Sequence, residues 1–248
     1  NIAEDGLEIL RENNFQEVPE NPDGLLLRSH ALTEEDFGEN LKCVARAGSG
    51  TNNIPIDEAT KQGIVVFNTP GANANAVKEL VICGMLLSSR GIIEGIEFAK
   101  KLDLKDSKGL NNAMEAQKKS FAGNELDGKT LGIIGLGSIG SMLAQAAQTL
   151  GMKLIGYDPY ISIESAWRLP REVGKAETMD ELLQHSDYVS LHVPLAEETK
   201  NLINKSNLNK FKKGARLINL SRGGIVNTAD VIEELETGNL GRFVTDFP

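Results

Sequence analysis

Residues 130–159, TLGIIGLGSIGSMLAQAAQTLGMKLIGYDP, decide the fold of this chain. Residues 131–134 are a short apolar run, dense in β-branched side chains, which predicts a buried strand. Three glycines follow at fixed spacing, and a helical pattern then continues until Gly151. A second apolar run, residues 153–157, ends in Asp158. The order of strand, glycine turn, helix, strand and acid indicates a βαβ unit of a parallel α/β sheet.

Each part of this unit suits the binding of a dinucleotide. Gly135 permits the sharp turn out of the strand, Gly137 lets a pyrophosphate approach the backbone, and Gly140 lets the helix pack closely on the sheet. The helix N-terminus offers free N–H groups to the phosphates. Asp158 follows Gly140 by 18 residues, where a carboxylate accepts hydrogen bonds from both ribose hydroxyls and favours NAD over NADP. The alternative is an ordinary βαβ unit whose glycines only shape a turn, which leaves the acid unexplained.

Composition limits the classes of function. The 248 residues can form one large or two small domains, and the net charge of −9 argues against nucleic-acid binding. No apolar run reaches membrane-spanning length and no secretory signal pattern is present, so we expect a cytoplasmic protein without a membrane partner. Cys43 and Cys83 are predicted to be small core hydrophobes in a reducing cytosol. No metal site is expected, since no histidine or second cysteine has ligand spacing.

The N-terminal part predicts a separate small α/β unit that ends near residue 70. Strands at 24–27, 41–47 and 63–67 alternate with short helices, the pattern of a parallel sheet. The second strand runs into residues 48–53, GSGTNN, a turn of small residues that is rich in backbone N–H groups. Such a turn at a strand end predicts an anion-binding nest, to which Arg46 adds a formal charge.

A long apolar-patterned stretch at 75–101 predicts one helix that is long enough to connect two domains. Lys78 lies near its start. The polar residues 105–123 are expected to form a loop and a helix that cross over the second domain. We therefore divide the chain into a first domain at 1–74, the connecting helix, and a second α/β domain at 102–248.

The strands of the second domain end in polar residues that share one edge of a doubly wound sheet. These are Asp158, His192-Val193-Pro194, Ser221-Arg222 and Asp246. Arg222 lies on a turn with two glycines, where a cation is unshielded, and we predict a functional role for it. His192 is equally compatible with a turn-stabilising role and with a ligand contact. His30 follows a strand of the first domain and fits a solvated loop residue better than a ligand contact.

Together these residues resemble the D-isomer-specific 2-hydroxy acid dehydrogenase family along nearly the whole chain. The motifs that carry the resemblance are ARAGSGTNN at 45–53, GIVVFNTPGANANAVKEL at 63–80, GIIGLGSIG at 132–140, YDPY at 157–160, SLHVPL at 190–195, INLSRGGIV at 218–226 and VTDFP at 244–248. The resemblance implies a flavodoxin-like substrate domain with a Rossmann-like NAD-binding domain inserted in it. It also implies a homodimer, formed through the NAD-binding domain and the helix at 75–101. The chain would then be truncated at both ends.

The resemblance also implies roles for individual residues. Cofactor-binding positions would be Gly135, Gly137, Ser138, Ile139, Gly140, Asp158, His192, Val193, Pro194, Leu220, Ser221 and Asp246. Arg222 would be the catalytic-site clamp on the substrate carboxylate, which the Gly48 and Ser49 N–H groups would also hold. Arg46 matches the position that meets a substrate phosphate. We add Lys78 as a second cation, since the wider family has a neutral residue there.

The chain departs from the family in its proton-transfer residues. The family uses a Glu–His pair, in which the histidine takes the hydroxyl proton and the glutamate orients it. None of His30, His185 and His192 lies in the family's Glu–His motif. We therefore expect the pair beyond Pro248.

The first two motifs are most similar to the branch of the family that oxidises 3-phospho-D-glycerate to 3-phosphohydroxypyruvate, the first step of serine biosynthesis. One alternative is a reductase of another small anionic acid, such as hydroxypyruvate, glyoxylate or D-lactate. The other alternative is a non-catalytic NAD-sensing module, which would suit a chain without the Glu–His pair.

Overall fold

A computed structural model describes residues 2–102 and 107–247 of the chain, and the side chains of 107 and 108 lie outside that description. Within these ranges the chain forms two compact units, Asn1–Asn73 and Ala74–Pro248. Part of the expected crossing segment, at residues 105–106, and Pro248 lie outside the described residues.

Over its described residues, the smaller unit is a three-stranded parallel sheet with two α-helices and a short 3-10 helix, Glu34–Asp36. Its strand order is β1-β2-β3, and Val44 at the centre of β2 is fully buried. Apolar residues of β1, β2 and α2, together with apolar residues that flank these elements and β3, form its core, namely Leu27, Leu41, Val44, Ile54, Ala59 and Ile64. The elements are α1 (Glu4–Glu12), β1 (Gly24–Leu27), β2 (Cys43–Arg46), α2 (Ile56–Lys61) and β3 (Val65–Phe67).

The larger unit contains a six-stranded parallel sheet with helices on both faces. Its helices are α3 (Ala74–Ser89), α4 (Ile92–Lys100), α5 (Ser107–Gln117), α6 (Ser138–Thr149), α7 (Ile163–Trp167), α8 (Met179–His185), α9 (Lys205–Leu208) and α10 (Thr228–Thr237). Its strands are β4 (Thr130–Ile134), β5 (Lys153–Tyr157), β6 (Gly174–Lys175), β7 (Tyr188–Leu191), β8 (Ala215–Asn219) and β9 (Leu240–Thr245).

The strand order of this sheet, β6-β5-β4-β7-β8-β9, places the topological switch point between β4 and β7. In an open α/β sheet, ligands bind outside the carboxyl ends of the strands at this point. One face of the sheet packs on α3 and α6 and the other on α8, α9 and α10. Helix α3 lies close to β9, since a Cβ on Gly84 would lie 2.9 Å from Val244 Cγ1. The predicted α/β fold class is confirmed.

The prediction of one helix at 75–101 is wrong, because the structure has two helices with a break at Arg90–Gly91. The segment that follows α5 takes the hydrogen bonds a continuing helix would use. Asn124 N donates to the Ser89 carbonyl, and Gly91 N donates to the Phe121 carbonyl. A Cβ on Gly91 would lie 2.8 Å from Phe121 Cα, so the close crossing of the two backbones requires this glycine.

Short elements complete the larger unit. Residues 199–201 form turns, and Ile203 makes a β-bridge to Val226. Helix α10 is capped by Asn227, whose side chain accepts a hydrogen bond from Asp230 N. Cys83 is exposed rather than part of the core, because it lies on the outer face of α3.

Single residues define the ends of two helices. Thr178 caps α8 by accepting a hydrogen bond from Glu181 N, and Gly238 ends α10 with φ of +74°. Over the described parts of the chain, no helix combines the length and the hydropathy that crossing a membrane requires.

Candidate functional site

The glycine turn joins β4 to α6 at the switch point of the larger sheet. Gly135 has φ of +92°, and a Cβ there would lie 2.5 Å from the His192 carbonyl oxygen. A Cβ on Gly140 would lie 2.1 Å from the carbonyl oxygen of Gly135. Both positions therefore require glycine, the first for its backbone conformation and the second for the close approach of α6 to the turn.

Gly137 differs from these two, because a Cβ on it would meet nothing within 4 Å. It is exposed and precedes α6, whose first turn has no side-chain cap. The N–H groups at the start of that helix, beginning with Ser138 and Ile139, are thus available to an external acceptor. An open surface beside uncapped N–H groups and the positive end of a helix dipole fits a pyrophosphate.

Asp158 is fixed against the same turn. One of its carboxylate oxygens accepts from Leu136 N at 2.8 Å, and the other accepts from Tyr160 N at 2.9 Å. Leu136 lies between the first two glycines, so the acid and the turn form one hydrogen-bonded assembly. Each carboxylate oxygen has more than one acceptor site, which leaves capacity for ribose hydroxyls. The sequence predicted the position of Asp158 but not its bond to the turn.

The end of β7 borders the turn from the other side. His192 N donates to the Ile134 carbonyl, and its ring Nε2 lies 2.9 Å from the hydroxyl oxygen of the fully buried Ser190. Its Nδ1 is buried and has no partner among the described residues. Burial lowers the pKa of His192 to about 4, so the ring is neutral at physiological pH. Val193 is half-buried and Pro194 exposed.

The end of β8 is organised by Asn219, which the sequence analysis did not single out. Its buried side chain donates to the Arg222 carbonyl at 2.8 Å and accepts from Ser221 N at 3.2 Å. The Ser221 hydroxyl donates to the Leu191 carbonyl, which joins this turn to β7. The signal was present in the sequence as an asparagine at a strand end, a residue type that bonds its own following backbone.

Arg222 is half-buried on this turn. Its Nη1 donates to the Ser221 carbonyl at 2.6 Å, and within the described ranges no carboxylate forms an ion pair with it. An unpaired guanidinium at the edge of the site can bind an external carboxylate in a bidentate manner. Leu220 is buried just before this turn, and Asp246 is exposed just after β9.

The smaller unit has its own polar edge, where Arg46 ends β2. Arg46 Nε donates to Asn53 Oδ1 at 2.9 Å. Gly48 has φ of +153°, and a Cβ there would lie 2.5 Å from Arg46 Nη1, so the guanidinium lies directly against the turn. The exposed Ser49 follows, and its carbonyl accepts from Asn68 Nδ2 at 2.8 Å. The predicted residues Arg46, Gly48 and Ser49 thus share one edge.

The remaining two candidates lie elsewhere. Lys78 belongs to the larger unit, on the first turns of α3, and its Nζ donates to Asn75 Oδ1 at 2.6 Å. His30 has an exposed side chain, and its carbonyl accepts from Asn53 Nδ2. The solvated-loop reading of His30 therefore fits the structure.

Comparison with known proteins agrees with this geometry. Residues 89–248 match the family described as "D-isomer specific 2-hydroxyacid dehydrogenase, NAD binding domain". The chain is 37% identical over 260 aligned positions to a D-3-phosphoglycerate dehydrogenase of Bacillus subtilis, covering 99% of this chain and 46% of that protein. It is 38% identical to a hydroxypyruvate reductase of Thermotoga maritima, covering 94% of this chain and 71% of the reductase. The chain spans about half of the length, or less, of the curated D-3-phosphoglycerate dehydrogenases that it matches.

The fold comparison gives the same answer. A crystal structure of D-lactate dehydrogenase with NAD+ from Lactobacillus jensenii superposes with a TM-score of 0.72 at 28% identity, covering 99% of this chain and 68% of that one. The open Gly137, the uncapped α6 and the fixed Asp158 are the features that an NAD-binding domain requires. Fold, glycine turn and sequence match therefore agree that the chain belongs to the D-isomer specific 2-hydroxyacid dehydrogenase family and carries its NAD-binding domain.

Proposed function

We propose that the protein is an NAD-dependent dehydrogenase that oxidises 3-phospho-D-glycerate to 3-phosphohydroxypyruvate, the first step of serine biosynthesis. The single observation that carries the choice of substrate is Arg46. It is a half-buried cation at the edge of the smaller sheet, and within the described ranges no carboxylate neutralises it. An unphosphorylated acid needs one cation for its carboxylate, whereas a phosphorylated acid needs a second. The similarity to D-3-phosphoglycerate dehydrogenases supports the same assignment.

The substrate-binding residues have distinct tasks. Arg222 clamps the substrate carboxylate. Of the two predicted N–H donors in the smaller unit, Ser49 N is assigned to an anionic group of the substrate, whereas Gly48 N does not fit the prediction because it already donates to the Arg46 carbonyl at 2.9 Å. Arg46 binds the phosphate, and Lys78 adds a second positive charge. Arg222 suits its task because a planar guanidinium matches the two oxygens of a carboxylate. Arg222, Arg46 and Lys78 thus bind the substrate, and none of the three transfers the proton.

Bound NAD supplies the hydride acceptor, and the chain holds it at the switch point of the larger sheet. The pyrophosphate lies at Gly135, Gly137 and Gly140, and Asp158 selects the unphosphorylated ribose. Two of the other cofactor-binding residues, Ser138 and Ile139, begin α6. The rest lie at the ends of the neighbouring strands, namely His192, Val193, Pro194, Leu220, Ser221 and Asp246. Because His192 is neutral at physiological pH, it adds no charge to that surface.

The substrate assignment is tested by replacing Arg46 with alanine in the full-length gene product. We expect KM for 3-phosphoglycerate to rise at least tenfold, which corresponds to the loss of one charge-assisted hydrogen bond of about 1.5–3 kcal/mol. KM for glyoxylate, which has no phosphate, should change less than about twofold. Equal effects on both substrates would overturn the phosphate assignment.

The similarity to a hydroxypyruvate reductase supports a second candidate, the reduction of an unphosphorylated 2-keto acid. The same assay separates the two candidates, because a hydroxypyruvate reductase should prefer hydroxypyruvate and should tolerate the loss of Arg46. NAD binding without turnover of any 2-hydroxy acid would instead support a non-catalytic sensing module.

We also propose that the protein is a cytoplasmic homodimer. Exposed isoleucines on α4 and the exposed Met114 on α5 form an apolar surface, in which Ile93 is 55% and Ile96 50% exposed. An apolar groove of about 380 Å³ runs along the same surface and includes Phe98 and Phe121. Replacing Ile96 with glutamate should shift the mass measured by light scattering to that of a monomer. Replacing Ile232 with glutamate is the matched control. Ile232 lies on α10 and is as exposed as Ile96, and its replacement should leave the dimer intact.

A further inference from the structure

We propose that Asn53 is a positioning residue, which holds the Arg46 guanidinium in place for the phosphate group of the proposed substrate. This inference rests on the proposed function, and it concerns a residue to which that function assigns no role. It is carried by a set of hydrogen bonds at the carboxyl edge of the three-stranded sheet.

Asn53 connects the ends of two strands through one side chain. Its Oδ1 accepts from Arg46 Nε at 2.9 Å, just where β2 ends. Its Nδ2 donates to the His30 carbonyl at 2.6 Å and to the Arg28 carbonyl at 3.2 Å, in the loop that follows β1. The backbone carbonyl of Asn53 accepts from Leu32 N at 2.9 Å, which fixes the residue itself. Both ends of the amide are therefore used, and the side chain has one orientation.

This anchor leaves the outer part of the guanidinium available. Asn53 uses the Nε–H of Arg46, and the structure shows no ion pair for Arg46 within residues 2–102 and 107–247. The Nη1 group lies against the backbone of Gly48, where a side chain would collide with it. An arginine held in this way before the substrate arrives loses less side-chain freedom on binding, which favours affinity.

The position requires asparagine chemistry. The side chain must accept one hydrogen bond from a cation and donate two to backbone carbonyls, and an amide provides both. Aspartate would keep the acceptor but would bring a negative charge against two carbonyl oxygens. Aspartate would also neutralise Arg46, so that its charge no longer attracts an anionic substrate.

The test is a double-mutant cycle on Arg46 and Asn53 in the full-length gene product. The variants are Asn53→Ala, Asn53→Asp, Arg46→Ala and the Arg46→Ala/Asn53→Ala double variant. Asn52→Ala is the matched control, since Asn52 is the exposed neighbour in the same turn and no side-chain hydrogen bond is seen for it within the described ranges. The readouts are kcat and KM for 3-phosphoglycerate and for glyoxylate, together with the Kd of 3-phosphoglycerate from calorimetry.

For Asn53→Ala, we expect KM and Kd for 3-phosphoglycerate to rise about tenfold, the effect of losing one hydrogen bond of about 1.4 kcal/mol. We expect kcat, and KM for glyoxylate, to change less than about twofold. The double variant should match Arg46→Ala, because Asn53 acts only through Arg46. Asn53→Asp should raise KM for the phosphorylated acid at least as much as Asn53→Ala does, whereas Asn52→Ala should have no effect.

Three outcomes would overturn the inference. One is an unchanged KM in Asn53→Ala. Another is an equal rise for both substrates, and the third is an effect that adds fully to that of Arg46→Ala. If Asn53→Ala does not fold, Asn53→Asp is used instead, with the same comparison of KM for the two substrates.

If Arg46→Ala itself shows no selectivity for the phosphorylated acid, the proposed function fails, and the role of Asn53 fails with it. A selective Arg46→Ala beside a neutral Asn53→Ala would instead remove the role of Asn53 alone.

Discussion

Gly137 and Gly140 lie three residues apart in one motif, yet the structure predicts opposite consequences for the same substitution. A Cβ on Gly137 meets nothing within 4 Å, and its φ of −69° is accessible to any residue. We therefore expect Gly137→Ala to fold. Alanine is a poorer N-cap than glycine, but it reduces the entropy of the unfolded chain, and each effect is at most about 1 kcal/mol. The net change in the free energy of unfolding should be within about 1 kcal/mol.

The added methyl group of Gly137→Ala occupies the open surface where the pyrophosphate is expected. If it displaces two charge-assisted hydrogen bonds of about 1.5 kcal/mol or more each, affinity falls by about 3 kcal/mol, a rise of at least a hundredfold in Kd. Titration of NADH fluorescence measures this Kd, and thermal unfolding measures stability. A stable Gly137→Ala protein that binds NADH as tightly as the wild type would refute the assignment of this surface.

Gly140→Ala is the matched contrast. Its Cβ would lie 2.1 Å from the Gly135 carbonyl oxygen, so the helix or the turn must move. Overpacking of this kind costs about 1–3 kcal/mol, and a loss of 1 kcal/mol lowers Tm by about 2–4 °C in a chain of this size. The melting temperature should therefore fall clearly below that of Gly137→Ala.

Three further predictions concern charge at the site. Asp158→Asn should lower the ratio of the NADPH to the NADH Kd at least tenfold in fluorescence titrations, because the repulsion of a 2′-phosphate is removed. Arg222→Lys should raise KM for the 2-hydroxy acid about tenfold or more, since lysine lacks the bidentate fork. As the pH falls from 6.5 to 4, the wild type should lose up to roughly 3 kcal/mol of its free energy of unfolding relative to His192→Gln, measured by denaturant unfolding. The reason is that the pKa of His192 is lowered to about 4 in the folded protein, so the unfolded chain binds the proton first.

The glycine motif shows how much the sequence determines about the cofactor site. Each glycine of the motif has a local role: Gly135 forms the turn, Gly137 leaves the surface open and Gly140 allows close packing. These roles depend on backbone conformation within a stretch of a few residues. The strands around them follow from apolar runs of matching length. These local signals were enough to predict the parallel fold, the NAD-binding edge and the position of Asp158.

The broken helix shows where local signals fail. The apolar pattern continues through Arg90 and Gly91, so a sequence reading extends the helix to residue 101. The break is decided by Phe121 and Asn124, whose backbone groups replace the helical hydrogen bonds. A pattern of side chains carries no information on which distant backbone group will compete for a carbonyl.

The sequence by itself therefore determined the fold class, the family and the glycine motif of the NAD-binding domain, because each rests on a short stretch and its spacing. Only the tertiary structure decided which side chains hold those residues in place. Asn53 reaches the His30 carbonyl, Ser221 reaches the Leu191 carbonyl and Asp158 reaches Leu136 N only after the strands have packed side by side. The physical reason is that a hydrogen bond depends on distances of about 3 Å, and only the packed sheet sets those distances between strand ends.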